Sequence, residues 1–372
     1  MPSKSRINNL RVLILEPYYG GSHRQFIEGL VAAIPAEFTL FQLPARKWKM
    51  RMQLSALWFI EKIKALPVAE RRFDALLCST FMDLGVFKSL AHDIAGWNTE
   101  IRYLTYYHEN QFQYPGYLEK SSNHQFTAIN FNNAMISKGI AFNSEFNRTG
   151  FLDHVEKYLR KATDMKFSDI RATLYEKSVV LYPGLDFSLP DSTKTEVNIP
   201  EGRPPLIIWN HRWEHDKDPE SFFNGLEKLK KRKISFQLAV LGQQFSQVPD
   251  CFANAARRLN DELVHIGYVA DKKEYFVWLN KGDFIVSTAL HEFFGIAVIE
   301  AVRVGCYPLL PARLSYPELF PEKFLYKKGD FSKKLAEVII NKETLEQDEA
   351  MNLTERFSWN SLKKQYITWL TG

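Results

Sequence analysis

Two short segments carry the residue types that would handle a phosphorylated, hydroxyl-rich substrate. The first is 287–302, STALHEFFGIAVIEAV. Its pattern predicts a strand ending near Ser287, a loop carrying Glu292, and a helix starting at Phe294 and Gly295 with Glu300 inside it. The free N–H groups and positive dipole end of such a helix favour a phosphate, and Gly295 allows close backbone approach. Glu300 would sit about 7–8 Å further along the helix axis. Two carboxylates flanking a diphosphate suit a nucleotide sugar, one accepting sugar hydroxyls and the other ribose hydroxyls. Spacing alone favours a plainer reading, an acid at a helix start, where acids are commonly stabilised.

The second segment is 209–219, WNHRWEHDKDP, with Arg212 and Lys217 ahead of a proline that opens a helix. Two fixed cations in one loop would neutralise a diphosphate leaving group. A solvated loop in which Asp216 and Asp218 pair the bases locally fits the residues equally well.

These segments need elements to hold them. Residues 11–16 (RVLILE) read as a buried strand, followed by a Gly-Gly turn and a helix over 23–34. Further strands are expected at 74–78, 101–106 and 139–142, and the alternation with helices points to a parallel α/β sheet. Residues 187–205 are polar and proline-rich, as in a surface linker. The alternation then restarts, with strands at 206–209, 236–241, 263–266 and 283–287 and helices at 219–231, 250–259, 272–280 and 294–303. The expected organisation is a first Rossmann-like domain over 1–186, a linker over 187–205, a second over 206–353, and a closing helix over 354–372 docked back on the first domain. Two doubly wound α/β domains in tandem imply a cleft facing the carboxyl ends of both sheets.

Composition sets the outer limits. A chain of 372 residues with 45% hydrophobic and 24% charged residues has the composition of folded domains and excludes disordered and collagen-like classes. No apolar run reaches the roughly 18–20 residues of a membrane span, and the first residues lack an apolar signal core, so a cytoplasmic protein is expected. Cys78, Cys251 and Cys306 fit neither zinc spacing nor a disulfide framework. The net charge of +5 is lodged in residues 1–60, which hold eight basic and three acidic residues. That asymmetry hints at an anionic partner, although a solvated surface also explains it.

Taken together, Arg212 and Lys217, then Glu292 and Glu300, resemble the retaining nucleotide-sugar glycosyltransferases of the two-Rossmann GT-B fold, as in glycosyltransferase family 4. YPGLD (182–186), LGQQF (241–245) and HIGYV (265–269) extend the resemblance. LEPYYGGSHRQFIEGL (15–30), DALLCSTFMDLG (74–85), YYHENQFQYP (106–115), NFNNAMISKGIAFNSEFNR (130–148) and LPARKWKMRMQLSALWF (43–59) narrow it to the tRNA-queuosine mannosyltransferases. Members of that group move mannose from GDP-mannose onto the cyclopentenediol of queuosine at the anticodon wobble position of an aspartate-type tRNA.

The resemblance implies roles. His108 would face the donor sugar, with a nearby backbone carbonyl stabilising positive charge at the anomeric carbon. Gly20, Gly21, Ser22 and His23 would form a loop approaching the diphosphate or acceptor. Phe294, Gly295 and Ile296 would bind the donor phosphate, Glu292 the sugar and Glu300 the ribose. Arg46, Lys47, Lys49 and Arg51, interleaved with Trp48, suit a splayed single-stranded loop through phosphate attraction and base stacking; a basic amphipathic helix packed by its apolar residues is the alternative. Glu109 and Asn143, with Asn130, Asn132, Asn133 and Asn147 nearby, are candidate acceptor contacts, although such amides also cap helices and turns. Expected partners are a queuosine-bearing tRNA and a nucleotide sugar, with no obligate protein partner, no cofactor and no metal. Front-face attack is expected, with the departing phosphate taking the acceptor proton. A transferase acting on a lipid, glycan or small molecule, and a non-catalytic RNA-binding relative, are the competing readings.

Overall fold

The structure is a computed structural model that describes residues 9–113, 120–193, 200, 202–244 and 248–372, with backbone alone at 120–123. The chain divides into two compact units, Met1–Leu185 with Trp359–Gly372, and Asp186–Ser358.

The first unit is built on six parallel strands: β1 (Arg11–Tyr19), β2 (Glu37–Pro44), β3 (Ala75–Ser79), β4 (Arg102–Tyr107), β5 (Gly139–Phe142) and β6 (Ser178–Val180). They lie in the order β2-β1-β3-β4-β5-β6. Val12, Leu13, Ile14 and Leu15 are buried on both faces of the sheet, which is why this segment is continuously apolar. Strand β1 runs three residues past the expected end, and Gly21, in the left-handed region at φ +52°, turns the chain directly into the helix Gly21–Ala33. His23 therefore stands in the first turn of a helix rather than in a loop.

The helix Trp359–Thr371 belongs to this unit. Trp359 and Tyr366 pack on Phe26, and Tyr366 Oη donates to the Tyr182 carbonyl at 2.8 Å. A Cβ on Gly29 or Gly184 would overlap the Trp359 indole, so the glycine of YPGLD leaves room for that ring.

The second unit has six parallel strands: β7 (Leu206–Trp209), β8 (Gln237–Val240), β9 (Leu263–Ile266), β10 (Phe284–Val286), β11 (Tyr307–Pro311) and β12 (Leu325–Tyr326). Their order is β12-β11-β10-β7-β8-β9. Part of the expected linker is structured here: Ser188–Thr193 is a helix whose Asp191 accepts from the buried Arg303 guanidinium at 2.9 and 2.7 Å. Residues 194–199 and 201 of that stretch, and Phe245 of LGQQF, lie outside the described residues. Within the expected closing segment, a short turn at Glu355–Phe357 leads into the helix Trp359–Thr371, and a separate helix, Gln347–Thr354, precedes it.

Each sheet reverses its winding at one place, between β1 and β3 in the first unit and between β7 and β10 in the second. In doubly wound sheets ligands bind outside the carboxyl ends of the strands at that reversal. The loops there are 80–83 and the β1–helix turn in the first unit, and 210–218 and 287–295 in the second.

Candidate active site

In the second unit the two chemistry-bearing loops are sewn together. The Asp216 carbonyl accepts from the Leu290 and His291 amides, and Thr288 Oγ1 donates to the Lys217 and Asp218 carbonyls. A Cβ on Gly242 would lie 1.5 Å from the His211 carbonyl oxygen, so only glycine lets β8 end this close to the 210–218 loop. Lys217 is consequently buried, with Nζ 2.7 Å from the His291 carbonyl, 3.3 Å from Glu292 Oε2 and 3.2 Å from Asp216 Oδ2. These contacts occupy its three donors, so a phosphate would have to replace one of them. Burial alone would raise the Glu292 pKa, but Lys217 holds it below the usual carboxylate value. Neighbouring His211 is pushed down to about 4 by burial and by Lys217, and so stays neutral.

Glu292 is followed by the helix Ile296–Arg303. Its N-cap is Gly295 at φ +100°, with no side-chain cap bond and no acid in the first turn. Its opening N–H groups and dipole are therefore not offset by an anionic side chain of that turn. Ser315 Oγ donates to the Phe294 carbonyl at 3.1 Å and fixes the entry to the helix. One turn on, the buried Glu300 accepts from Tyr275 Oη at 3.3 Å, and that hydroxyl accepts from Asn210 Nδ2 at 2.9 Å. Arg212 is half-exposed and pairs with Glu214 at 3.1 Å.

The first unit gathers a second charged cluster at its own sheet reversal. His23 Nδ1 lies 3.3 Å from Glu16 Oε2, and its Nε2 lies 3.4 Å from Glu109 Oε2. Burial lowers the His23 pKa, but the two carboxylates outweigh it and raise the value to about 10. His108 packs against that ring, tilted by 31° with centroids 4.1 Å apart; burial and the adjacent cation hold it well below its usual pKa, hence neutral. Glu16 also accepts from the Tyr18 amide at 2.8 Å and from Ser79 Oγ at 3.0 Å.

Comparison with known proteins identifies what carries these clusters. Residues 11–185 match the family model described as tRNA-queuosine alpha-mannosyltransferase N-terminal, and residues 191–357 match glycosyl transferases group 1. A curated relative from Drosophila melanogaster, tRNA-queuosine alpha-mannosyltransferase, is 35% identical over 332 residues, 87% of this chain and 85% of that protein. The chain belongs to the tRNA-queuosine alpha-mannosyltransferase family. It is a glycosyltransferase of GT-B fold. Solved structures show the same fold at low identity. Anabaena HepE in complex with UDP aligns at TM-score 0.68 and 15% identity over 97% of this chain and 100% of that one. The catalytic domain of starch synthase IV from Arabidopsis thaliana aligns at 0.70 and 12%, over 98% and 99%.

In this mannosyltransferase-family chain the remaining expected contacts divide by burial. Arg46, Lys47 and Lys49 are exposed around the start of the helix Trp48–Ala65. Arg51 is half-buried, and Trp48 packs against Phe81 and Phe126 rather than standing free for a base. Asn143, an expected acceptor contact, is buried, its Nδ2 donating to the His108 carbonyl at 2.7 Å and its Oδ1 accepting from Asn147 at 2.8 Å. Asn130, Asn133 and Asn147 likewise bridge backbone groups at strand ends. A buried amide satisfies an orphan N–H or C=O in a loop that makes no ladder bonds, and that is the role these asparagines fill. Glu16, Ser79, Thr80 and Tyr275 do not stand out in the sequence as site residues, because each joins its cluster only through the fold, whereas the expected local pairing of Asp216 with Lys217 is present at 3.2 Å.

Proposed function

We propose that this enzyme transfers mannose from GDP-mannose to the cyclopentenediol of queuosine at a tRNA wobble position, with retention of anomeric configuration. The observation that carries the reading is the 35% identity running through both units, with the half expected to meet the acceptor matched by the family's own N-terminal model. In this reading Arg212, Lys217 and the backbone at Phe294, Gly295 and Ile296 hold the diphosphate. Glu292 orients the sugar hydroxyls and Glu300, braced by Tyr275, holds the ribose. Lys217 exchanges its Asp216 or Glu292 contact for a phosphate oxygen when the donor enters.

The chemical step breaks the bond between the anomeric carbon and the GDP oxygen. An acceptor hydroxyl attacks the same face, and its proton passes to the departing phosphate. Lys217, Arg212 and the helix N-terminus stabilise charge building on the leaving group, the kind of preorganised electrostatic contribution that dominates many transfer reactions. The two cations supply that charge without a metal, so activity is expected to survive a chelator. Loss of activity on chelation that returns with Mg²⁺ or Mn²⁺ would overturn that part. Assay of nucleotide release with a panel of nucleotide sugars, followed by NMR of the product linkage, tests the rest. GDP-mannose as the preferred donor and an α-linked product are expected; another preferred donor or a β-linkage would refute it.

A further inference from the structure

The cluster beside β1 in the first unit has more charge than a structural pin requires. Glu16, His23 and Glu109 form a chain of one cation between two anions. Because His23 sits far above its usual pKa, it is charged and the set is net negative. Its neighbourhood in sequence is the opposite, since the first sixty residues hold the whole +5 of the chain. A polyanion drawn to Arg46, Lys47 and Lys49 has no phosphate that would enter such a negative pocket. A cationic group attached to that polyanion would.

We infer that Glu109, held by His23 and Glu16, receives the secondary ammonium that links the cyclopentenediol to the base of queuosine. The inference rests on the acceptor reading above. Four features support the assignment. Glu109 is the outermost member, its side chain 16% exposed against 5% for His23 and 2% for Glu16, so an incoming group meets it first. Its carboxylate is fixed from two sides, by His23 at 3.4 Å and by Thr80 Oγ1 at 3.4 Å, which leaves lone pairs on both oxygens unused. Glu16 is tied to the strand end by the Tyr18 amide and Ser79 and stands 3.3 Å from His23 Nδ1, so its fixed charge favours the imidazolium that faces Glu109. Beside them the His23 ring is packed between the buried His108 ring, centroids 4.1 Å apart, and the Phe81 ring, centroids 5.3 Å apart, which holds it in place against Glu109. Glu109 is thus the contact residue, and His23 and Glu16 are positioning residues.

The test uses anticodon stem-loop RNAs that differ only at the wobble base: guanine, 7-aminomethyl-7-deazaguanine, and queuosine. The aminomethyl base carries the ammonium and no diol, so it isolates the proposed contact. The unaltered protein is expected to bind the aminomethyl loop more tightly than the guanine loop, on the order of tenfold. Glu109→Gln should erase that preference while keeping the affinity for the guanine loop. Glu16→Gln and His23→Gln should shrink it and raise the KM for queuosine RNA more than they lower kcat. Equal binding of the guanine and aminomethyl loops by the unaltered protein overturns the inference without any variant being needed. A preference that persists in Glu109→Gln also overturns it. The acceptor reading survives both results as long as sugar is transferred to queuosine RNA, and it fails separately if no transfer occurs.

Discussion

Lys217 and Glu292 meet in a buried pair because two loops 75 residues apart share backbone hydrogen bonds. The pair keeps Glu292 ionised, and its lowered pKa has a thermodynamic sign. The stability it contributes is present above the unfolded carboxyl value and is lost as pH falls through the lower folded one. Glu292→Gln is expected to lower kcat by roughly 10²–10³-fold, as when one preorganised polar group is removed, with a lowered but still cooperative melting transition; an unchanged kcat would remove Glu292 from the site. His23 carries the opposite sign. Its pKa is raised to about 10, so its contribution is complete below about 6.5, the unfolded value, and is lost as pH climbs through 10. Thermal unfolding of the unaltered protein and of Glu16→Gln should therefore differ most at about pH 6, less as pH rises, and converge above pH 10. Sequence reading reaches Lys217 and Glu292, because each lies in a loop bounded by a clear strand and a clear helix. It does not reach Glu16, which looks like the polar end of an apolar strand until the fold brings Glu109 within reach of the same histidine, 86 residues from His23.

Elements explain why glycine stands at two of these places. Gly295 caps the helix Ile296–Arg303 at φ +100°, a conformation that costs a side-chain-bearing residue about 1–2 kcal/mol. Its Cβ would also come within 3.3 Å of the Tyr316 ring. Gly295→Ala is expected to raise the donor KM and lower the melting temperature together; normal donor binding would show that the helix start is not a phosphate site. Gly242→Ala would clash with a carbonyl rather than a movable side chain, so a loss of stability of at least about 1–3 kcal/mol is expected in denaturant unfolding. The central strands are legible as continuous apolar runs, and their carboxyl ends locate the second-unit loops. Strands β2, β6, β11 and β12 are not; β11 is fully buried, but its prolines, Pro308 and Pro311, argue against a central strand. Glu37–Pro44 is mostly half-exposed, so it lacks a fully apolar run, and the last strand is only two residues long. The helix Ser188–Thr193 is hidden for another reason: its hold on the fold is the ion pair from Asp191 to Arg303, 112 residues away.

At the scale of the whole molecule, charge and connectivity have separate consequences. Among the basic residues of the first sixty, Arg46, Lys47 and Lys49 form an exposed group while Trp48 packs on Phe126, so phosphate attraction is the role proposed for that group. Replacing all three with alanine should weaken RNA binding almost uniformly across wobble bases. It should also flatten the salt dependence by about 0.7 in log K against log salt for each phosphate no longer neutralised; an unchanged slope would place the RNA elsewhere. The family and the two-unit α/β plan are accessible from motifs, whereas the pairing of each sheet reversal with its charged cluster emerges only in three dimensions. The most direct measurement is mass spectrometry of nucleosides from a queuosine-bearing tRNA after incubation with the enzyme and GDP-mannose. The expected result is conversion of queuosine to a species heavier by one hexose, abolished in Glu292→Gln. Unmodified queuosine in the presence of active, GDP-mannose-consuming enzyme would contradict it.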